Sequence, residues 1–277
     1  MKVFEKIATA HDVKILTKPG SIVAGYFRSK FDIYEFSSLR NLVPGECVGD
    51  YDVIFSCDFG LIIPSLFVQH ARLFDINLHT SVLPRHRGPA PIQWTIISGD
   101  SEAGISYIRI ADRVDAGEVY AKYSFEIDDS VTYSQLREEL LRLSESTVLE
   151  VIHGVASGSL KSAPQDEALA TYAPKIGKDD ESLKLSDAKT MLRWVHALSY
   201  TPGAHVVFKG KRLKLFRCKI TDQYIEPGMM IADGDSLLLG TKSTALEITE
   251  CQLEGKRRVS GKDFVNGYSR FLPERVI

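Results

Sequence analysis

The apolar positions of this chain fall into two textures. Up to about residue 154, short apolar runs alternate with amphipathic stretches. Residues 14–17 read as a strand stopped by Pro19 and Gly20, and residues 32–36, 51–55 and 73–78 as further strands. Between them, residues 21–29, 64–70 and 90–98 are predicted helices, while 104–110 and 119–125 alternate like strands. Residues 130–154 predict a long helix, with Leu136, Leu140, Leu143 and Val151 as its stripe and Thr132 with Gln135 as a capping box. Strands and helices alternating at this spacing predict an α/β fold with a mainly parallel sheet covered on both faces.

The texture then changes. Residues 163–184 are polar and turn-rich, and 171–184 read as a linker between a first domain, 1–170, and a second, 185–277. A helix over 186–199, with Ala188, Leu192 and Val195 as its stripe, precedes short strands at 204–208, 211–220, 229–232, 236–240 and 245–252. Gly, Asp and Lys part them, which predicts a small antiparallel barrel. Charge follows the same division: from Asp180 onward there are 16 Lys/Arg against 12 Asp/Glu, although the whole chain is at −2. A basic rear part suggests an anionic partner.

With 277 residues, 44% hydrophobic and 25% charged, the chain suits a soluble globular protein. It has no run of about 18 apolar residues, so no membrane span is expected. Residues 1–12 lack the features of a signal or transit peptide, so a cytoplasmic location is expected. Cys47, Cys57, Cys218 and Cys251 form no C-x-x-C pair and read as free thiols.

The stretch NLHTSVLPRHRGPAPIQW, residues 77–94, follows a predicted strand and carries the candidate chemistry. Active sites of open α/β sheets lie at the carboxyl ends of strands. Asn77 and His79, one residue apart on an extended chain, project to the same side, so an amide donor and an imidazole converge. Pro84, Pro89 and Pro91 stiffen the following loop. Preorganised donors of this kind suit a developing oxyanion. The best carboxylate to orient His79 is Asp115, in a Gly-containing loop between two predicted strands. Beside an imidazole it is expected to favour the cation and lift the pKa above about 6.5. On the residues alone, a structural histidine and a plain Asp-x-Gly turn remain open. His86 is expected at the surface. No metal is expected, because His79 and His86 lack a matching carboxylate set.

Asn77-x-His79, Ser81-Val82-Leu83-Pro84-x-x-Arg87-Gly88 and Asp115-Ala116-Gly117, in this order, resemble the folate-dependent formyltransferases. Residues 60–64, 90–93, 171–176 and 252–258 are similar to the tRNA-directed branch of that family. The resemblance implies a Rossmann-like formyltransferase domain followed by a small OB-like β-barrel. It implies 10-formyltetrahydrofolate as donor and the α-amine of methionine on initiator methionyl-tRNA as acceptor, for translation initiation. By the same resemblance Asn77 donates to the oxyanion, and His79, held charged by Asp115, donates to it and moves a proton to the folate nitrogen. Asp115 also helps a water take the ammonium proton. Ser81, Val82, Leu83 and Pro84 would line the folate site, with the backbone of 59–61 against the pterin. Lys209, Lys211, Arg212, Lys256, Arg257 and Arg258 would meet tRNA phosphates, the alternative being solvated strand edges. A monomer is expected.

Two departures from the family accompany these matches. Residues 1–11 resemble the helix that follows the family's first strand, so that strand is expected to be missing. Residues 20–29 carry only Arg28 where the family has a longer basic loop. They motivate two other readings: a sugar-nucleotide N-formyltransferase with the same Asn77, His79 and Asp115 triad, and a non-catalytic folate- or tRNA-binding remnant.

Overall fold

A computed structural model describes residues 1–199 and 201–277. The first half runs α1 (Lys2–Ile7), β1 (Lys14–Thr17), α2 (Ile22–Phe27), β2 (Asp32–Glu35), α3 (Pro44–Cys47), β3 (Val53–Cys57), α4 (Ser65–His70), β4 (Phe74–His79), α5 (Pro91–Ser98), β5 (Glu102–Ile108), β6 (Val119–Glu126) and α6 (Tyr133–Ala156). The second half runs α7 (Ala188–Ala197), β7 (Ala204–Phe208), β8 (Lys211–Ile220), β9 (Met229–Asp233), β10 (Ser236–Gly240), β11 (Ala245–Leu253), β12 (Val259–Ser260), α8 (Gly261–Tyr268) and β13 (Glu274–Arg275). Two compact units divide the chain and interleave in sequence. One comprises 1–89, 104–125 and 138–172, the other 90–103, 126–137 and 173–277.

The first unit is the α/β part. β1 pairs with β2 in parallel, and β3 with β4 in parallel, whereas β4 and β5 are antiparallel. The sheets are β1-β2 and β3-β4-β5-β6. The parallel pairs are the ones joined by helical crossovers, as parallel pairing requires. No strand among the described residues joins the two sheets. α1 occupies the start of the chain as expected, and its Phe4 ring meets Phe27 of α2 and Phe55 of β3 edge-on, with centroids 6.2 and 6.1 Å apart. Within this unit the Tyr107 hydroxyl reaches α6, 2.9 Å from the Thr147 hydroxyl, and burial pushes its pKa well above the ordinary range. The long helix starts where the capping pattern places it: Gln135 accepts from the Thr132 N–H at 3.1 Å and from its hydroxyl at 2.7 Å.

The second unit holds the β-barrel. Its antiparallel order is β13-β9-β10-β11-β8-β7, with β12 paired to β11. The Val207 N–H of β7 donates to the carbonyl of Val276, just after β13, at 3.3 Å, so the two ends of the sheet nearly close. Alternation along the strands fills the interior with Leu213, Leu215, Leu237, Leu239, Leu246 and Ile248. Met191, Leu192 and Val195 of α7 and Phe264 of α8 join them. Asp187 caps α7, accepting from the Thr190 N–H at 2.9 Å and its hydroxyl at 2.6 Å; those two bonds push its pKa down to about 2. Cys218 and Cys251 are buried free thiols, and burial pushes both pKa values up.

Candidate active site

β4 alternates so that Ile76 and Leu78 are buried on one face while Asn77 and His79 share the other. The strand ends on His79 itself, one residue later than its apolar run predicts, because His79 is buried and still pairs with Ser106 of β5. Asp115 reaches the same point from the loop between β5 and β6. Its φ of +51° is a left-handed conformation that Asp adopts more readily than most residues.

The Asp115 carboxylate ties the cluster together. Oδ1 accepts from the Asn77 amide at 3.3 Å, and Oδ2 accepts from the Gly88 N–H at 2.9 Å. The same Oδ2 lies 3.4 Å from Nδ1 of His79, and Nε2 of His79 lies 2.9 Å from the His86 carbonyl oxygen. A carbonyl only accepts, so Nε2 carries the proton of the neutral ring and donates it to His86. Nδ1 then faces the carboxylate and is the site for a second proton.

The resting charge of His79 differs from the expectation. Burial pushes its pKa below the ordinary 6.5, and the pull of Asp115 and the His86 carbonyl in the other direction does not offset this. His79 is only 6% exposed. The cation loses more hydration than one carboxylate at 3.4 Å returns, so the ring is neutral near pH 7.

The residues after His79 form a tight turn. The Ser81 hydroxyl donates to the Arg85 carbonyl at 2.6 Å, and the Leu83 N–H donates to the Ser106 hydroxyl at 3.0 Å. Ser81 and Leu83 are buried, Val82 and Pro84 are half-buried, and Arg85 is exposed. His86 departs from its expected surface position. It is buried with φ +60°, and its N–H donates to the Thr171 hydroxyl at 2.9 Å. That conformation turns its carbonyl toward His79. Arg87 is also buried, with its guanidinium on Gln165 and Glu167. The loop that follows β3, the strand paired with β4, contains left-handed Asp58 and Gly60.

Residue type gave no sign of three contributors. The His86 carbonyl and Gly88 N–H are backbone groups, and Gln165 lies in a stretch that reads as connecting sequence. A cleft of about 440 Å³ is lined by Leu73, Phe74, Arg109, Tyr120, Leu160 and Lys161 among others, not by Asn77, His79 or Asp115. It sits at the amino end of β4, whereas sites in such sheets form at carboxyl ends. Among the described residues no group of three or more His, Cys, Asp or Glu is placed to hold a metal ion, and no helix is long and apolar enough to cross a membrane.

The basic residues of the second unit divide into two sets. Lys209 is ion-paired with Glu274 at 2.6 Å, and Arg258 lies 3.6 Å from Glu250 and over the Phe216 ring. Lys219 and Arg217 on β8 likewise face Glu247 and Glu250 on β11. Lys211, Arg212, Lys256 and Arg257 are exposed.

Residues 48–152 match the Formyl transferase family, and residues 175–269 match the Formyl transferase, C-terminal domain family. The methionyl-tRNA formyltransferase of Lactobacillus delbrueckii subsp. bulgaricus is 34% identical over 226 residues, covering 80% of this chain and 71% of that protein. The methionyl-tRNA formyltransferase of Coxiella burnetii is 33% identical over 271 residues, covering 95% and 86%. Among solved structures, the N-formyltransferase of Helicobacter canadensis, in complex with folinic acid and dTDP-3-aminofucose, shares the fold with a TM-score of 0.69 at 16% identity, over 89% of this chain and 93% of that one. HypX of Aquifex aeolicus, in complex with tetrahydrofolic acid, gives 0.65 at 20% identity over 94% of this chain; the chain spans about half of HypX, 47%. The cluster of Asn77, His79 and Asp115 at the end of β4, two stretches of the chain that match formyl transferase families, and relatives aligned over most of their length lead to one conclusion: the chain belongs to the methionyl-tRNA formyltransferase family.

Proposed function

We propose that this protein transfers the formyl group of 10-formyltetrahydrofolate to the α-amine of methionine on initiator methionyl-tRNA. The observation that carries this reading is the Asp115 carboxylate, which gathers Asn77, His79 and the Gly88 N–H at 2.9–3.4 Å in a member of this family. Asn77 has two amide protons and spends one on Asp115, leaving the other for the oxyanion that forms when the amine attacks the formyl carbon. The new C–N bond leaves the amine nitrogen with a proton to lose, and the departing folate nitrogen needs one. The neutral His79, with Nδ1 against Asp115, takes up that proton as imidazolium and returns it to the leaving nitrogen, so proton and charge balance over the cycle.

Val82 and Pro84 contact folate in this reading, with Ser81 and Leu83 holding the turn beneath them. Lys211, Arg212, Lys256 and Arg257 are the tRNA phosphate contacts, since Lys209 and Arg258 already have acidic partners. The reaction needs one copy of the chain, as all three triad residues come from it, and we place it in the cytoplasm as a monomer.

The test is acceptor choice. Pure protein with 10-formyltetrahydrofolate is offered methionyl-tRNA and a dTDP-amino sugar in parallel. Formyl-methionyl-tRNA is the expected product, with turnover on the sugar lower by at least about 10²-fold. Transfer to the sugar alone would establish the other acceptor class. Normal folate binding with no transfer to either would leave a binding remnant.

A further inference from the structure

The segment 163–172 does more than connect. The Ala163 N–H and carbonyl pair with Val119 at the start of β6, at 3.0 and 2.8 Å. The Thr171 N–H and carbonyl bond to Pro84 and Arg87 of the turn after β4, at 3.2 and 2.9 Å. Between these ends Gln165 donates to two carbonyls of the loop opposite: that of Asp115 at 2.8 Å and that of Gly117 at 2.7 Å. Its oxygen accepts from Nε and Nη2 of the buried Arg87, at 3.2 and 2.9 Å. Arg87 itself is fixed by Glu167 at 2.8 and 3.1 Å, and Glu167 also meets Arg113 at 3.3 Å. The side-chain amide thus has its oxygen on the turn after β4 and its nitrogen on the loop that holds Asp115.

We propose that Gln165, itself held by Arg87, is a positioning residue for the formyl transfer: it locks the left-handed Asp115 backbone so that the carboxylate spans Asn77, His79 and Gly88. This rests on the triad reading above. The geometry is specific to an amide. Two carbonyls and one guanidinium require two donors and one acceptor on a single flat group, and Gln supplies them in one orientation. With that amide removed, the Asp115 carbonyl loses its 2.8 Å bond, and a residue at φ +51° relaxes toward right-handed or extended backbone. The carboxylate then leaves Nδ1 of His79. A small displacement of a reacting group is enough to cost up to about 10²-fold in rate.

The test compares Gln165→Met, which keeps the volume and loses every polar atom, with Gln165→Glu, which keeps the acceptor for Arg87 and places charge against both carbonyls. The expected result for each is a kcat about 10- to 100-fold lower, with KM for folate and methionyl-tRNA within about threefold of wild type. The acid limb of the kcat profile should also move to lower pH, as in Asp115→Asn, because His79 loses the carboxylate that raises its pKa. A purely structural role would lower thermal stability and leave the limb in place. The inference is overturned if kcat stays within about twofold of wild type, or if it falls while the limb does not move. If Gln165→Met does not fold, Gln165→Glu carries the test. Asn77→Ala and Asp115→Asn, run beside them, separate the two levels. If those two stay active, the triad reading has failed and this inference with it. If they lose activity while the Gln165 variants keep it, this inference alone has failed.

Discussion

His79→Ala lowers kcat for formyl transfer by about 10²- to 10⁴-fold, the range for losing a positioned acid–base group, and leaves KM for folate nearly unchanged. The imidazole is buried with both nitrogens engaged, so it adds little to substrate binding, and in the proposed reaction it acts through the proton it moves. The pH dependence follows from the direction of its shift. Burial lowers the pKa below 6.5, so the ring is neutral and ready to accept a proton at pH 7. Below that lowered pKa Nδ1 is already protonated and kcat falls. Asp115 raises the His79 pKa, so Asp115→Asn should carry the acid limb further down. Single-turnover rates from pH 5 to 8 check both points. A rate that rises as pH falls would show that a resting imidazolium is the active form.

Gly117→Ala destabilises the protein by about 3 kcal/mol or more and reduces activity with it. A β-carbon at this position would lie 1.9 Å from the Arg109 carbonyl oxygen and 2.7 Å from its carbon. Both are backbone atoms, so no rotamer change relieves the clash. The Arg109 N–H is bonded to the Glu118 carbonyl at 2.8 Å, which ties the two sides of the loop together, and the Gly117 carbonyl receives Gln165. Any shift that admits the methyl group therefore moves the frame of Asp115, two residues away. Gly25→Ala serves as the comparison, since it lies in α2 with nothing within 4 Å of its added carbon. Gly25→Ala is expected to be neutral or stabilising by up to about 1 kcal/mol. Urea unfolding of the three proteins measures the difference; equal midpoints for the two variants would show that the Asp115 loop yields at no cost.

Much of the fold could be read from local pattern. The strand ending in Asn77 and His79 is visible because apolar and polar residues alternate up to a proline-rich turn, and alternation fixes which side chains share a face. Asp115 is not placed by local pattern. It comes to the site through the antiparallel pairing of β4 with β5 and the loop beyond, which no spacing along the chain specifies. The resting charge of His79 also escapes local reading, since it depends on how completely the ring is buried. His86 looks like one more polar residue in a loop, yet its part in the site is played by a carbonyl that every residue type has. Residues 163–172 lack periodicity because their side chains serve Arg87, Asp115 and the turn after β4 instead of an apolar core. The rows of basic residues on β8 overstate the free positive charge, because cross-strand acids on β11 meet Lys219 and Arg217.

In the proposed reaction Asn77 stabilises the oxyanion of a formyl transfer to methionyl-tRNA. The most direct test of this role is a quenched single-turnover measurement of formyl-methionyl-tRNA formed from 10-formyltetrahydrofolate, with wild-type protein and with Asn77→Ala shown to be equally stable. Product is expected from the wild type, with a rate about 10²- to 10³-fold lower in the variant, the cost of removing one oxyanion donor. Equal rates in the two proteins, or no product from wild-type protein that binds folate, would contradict it.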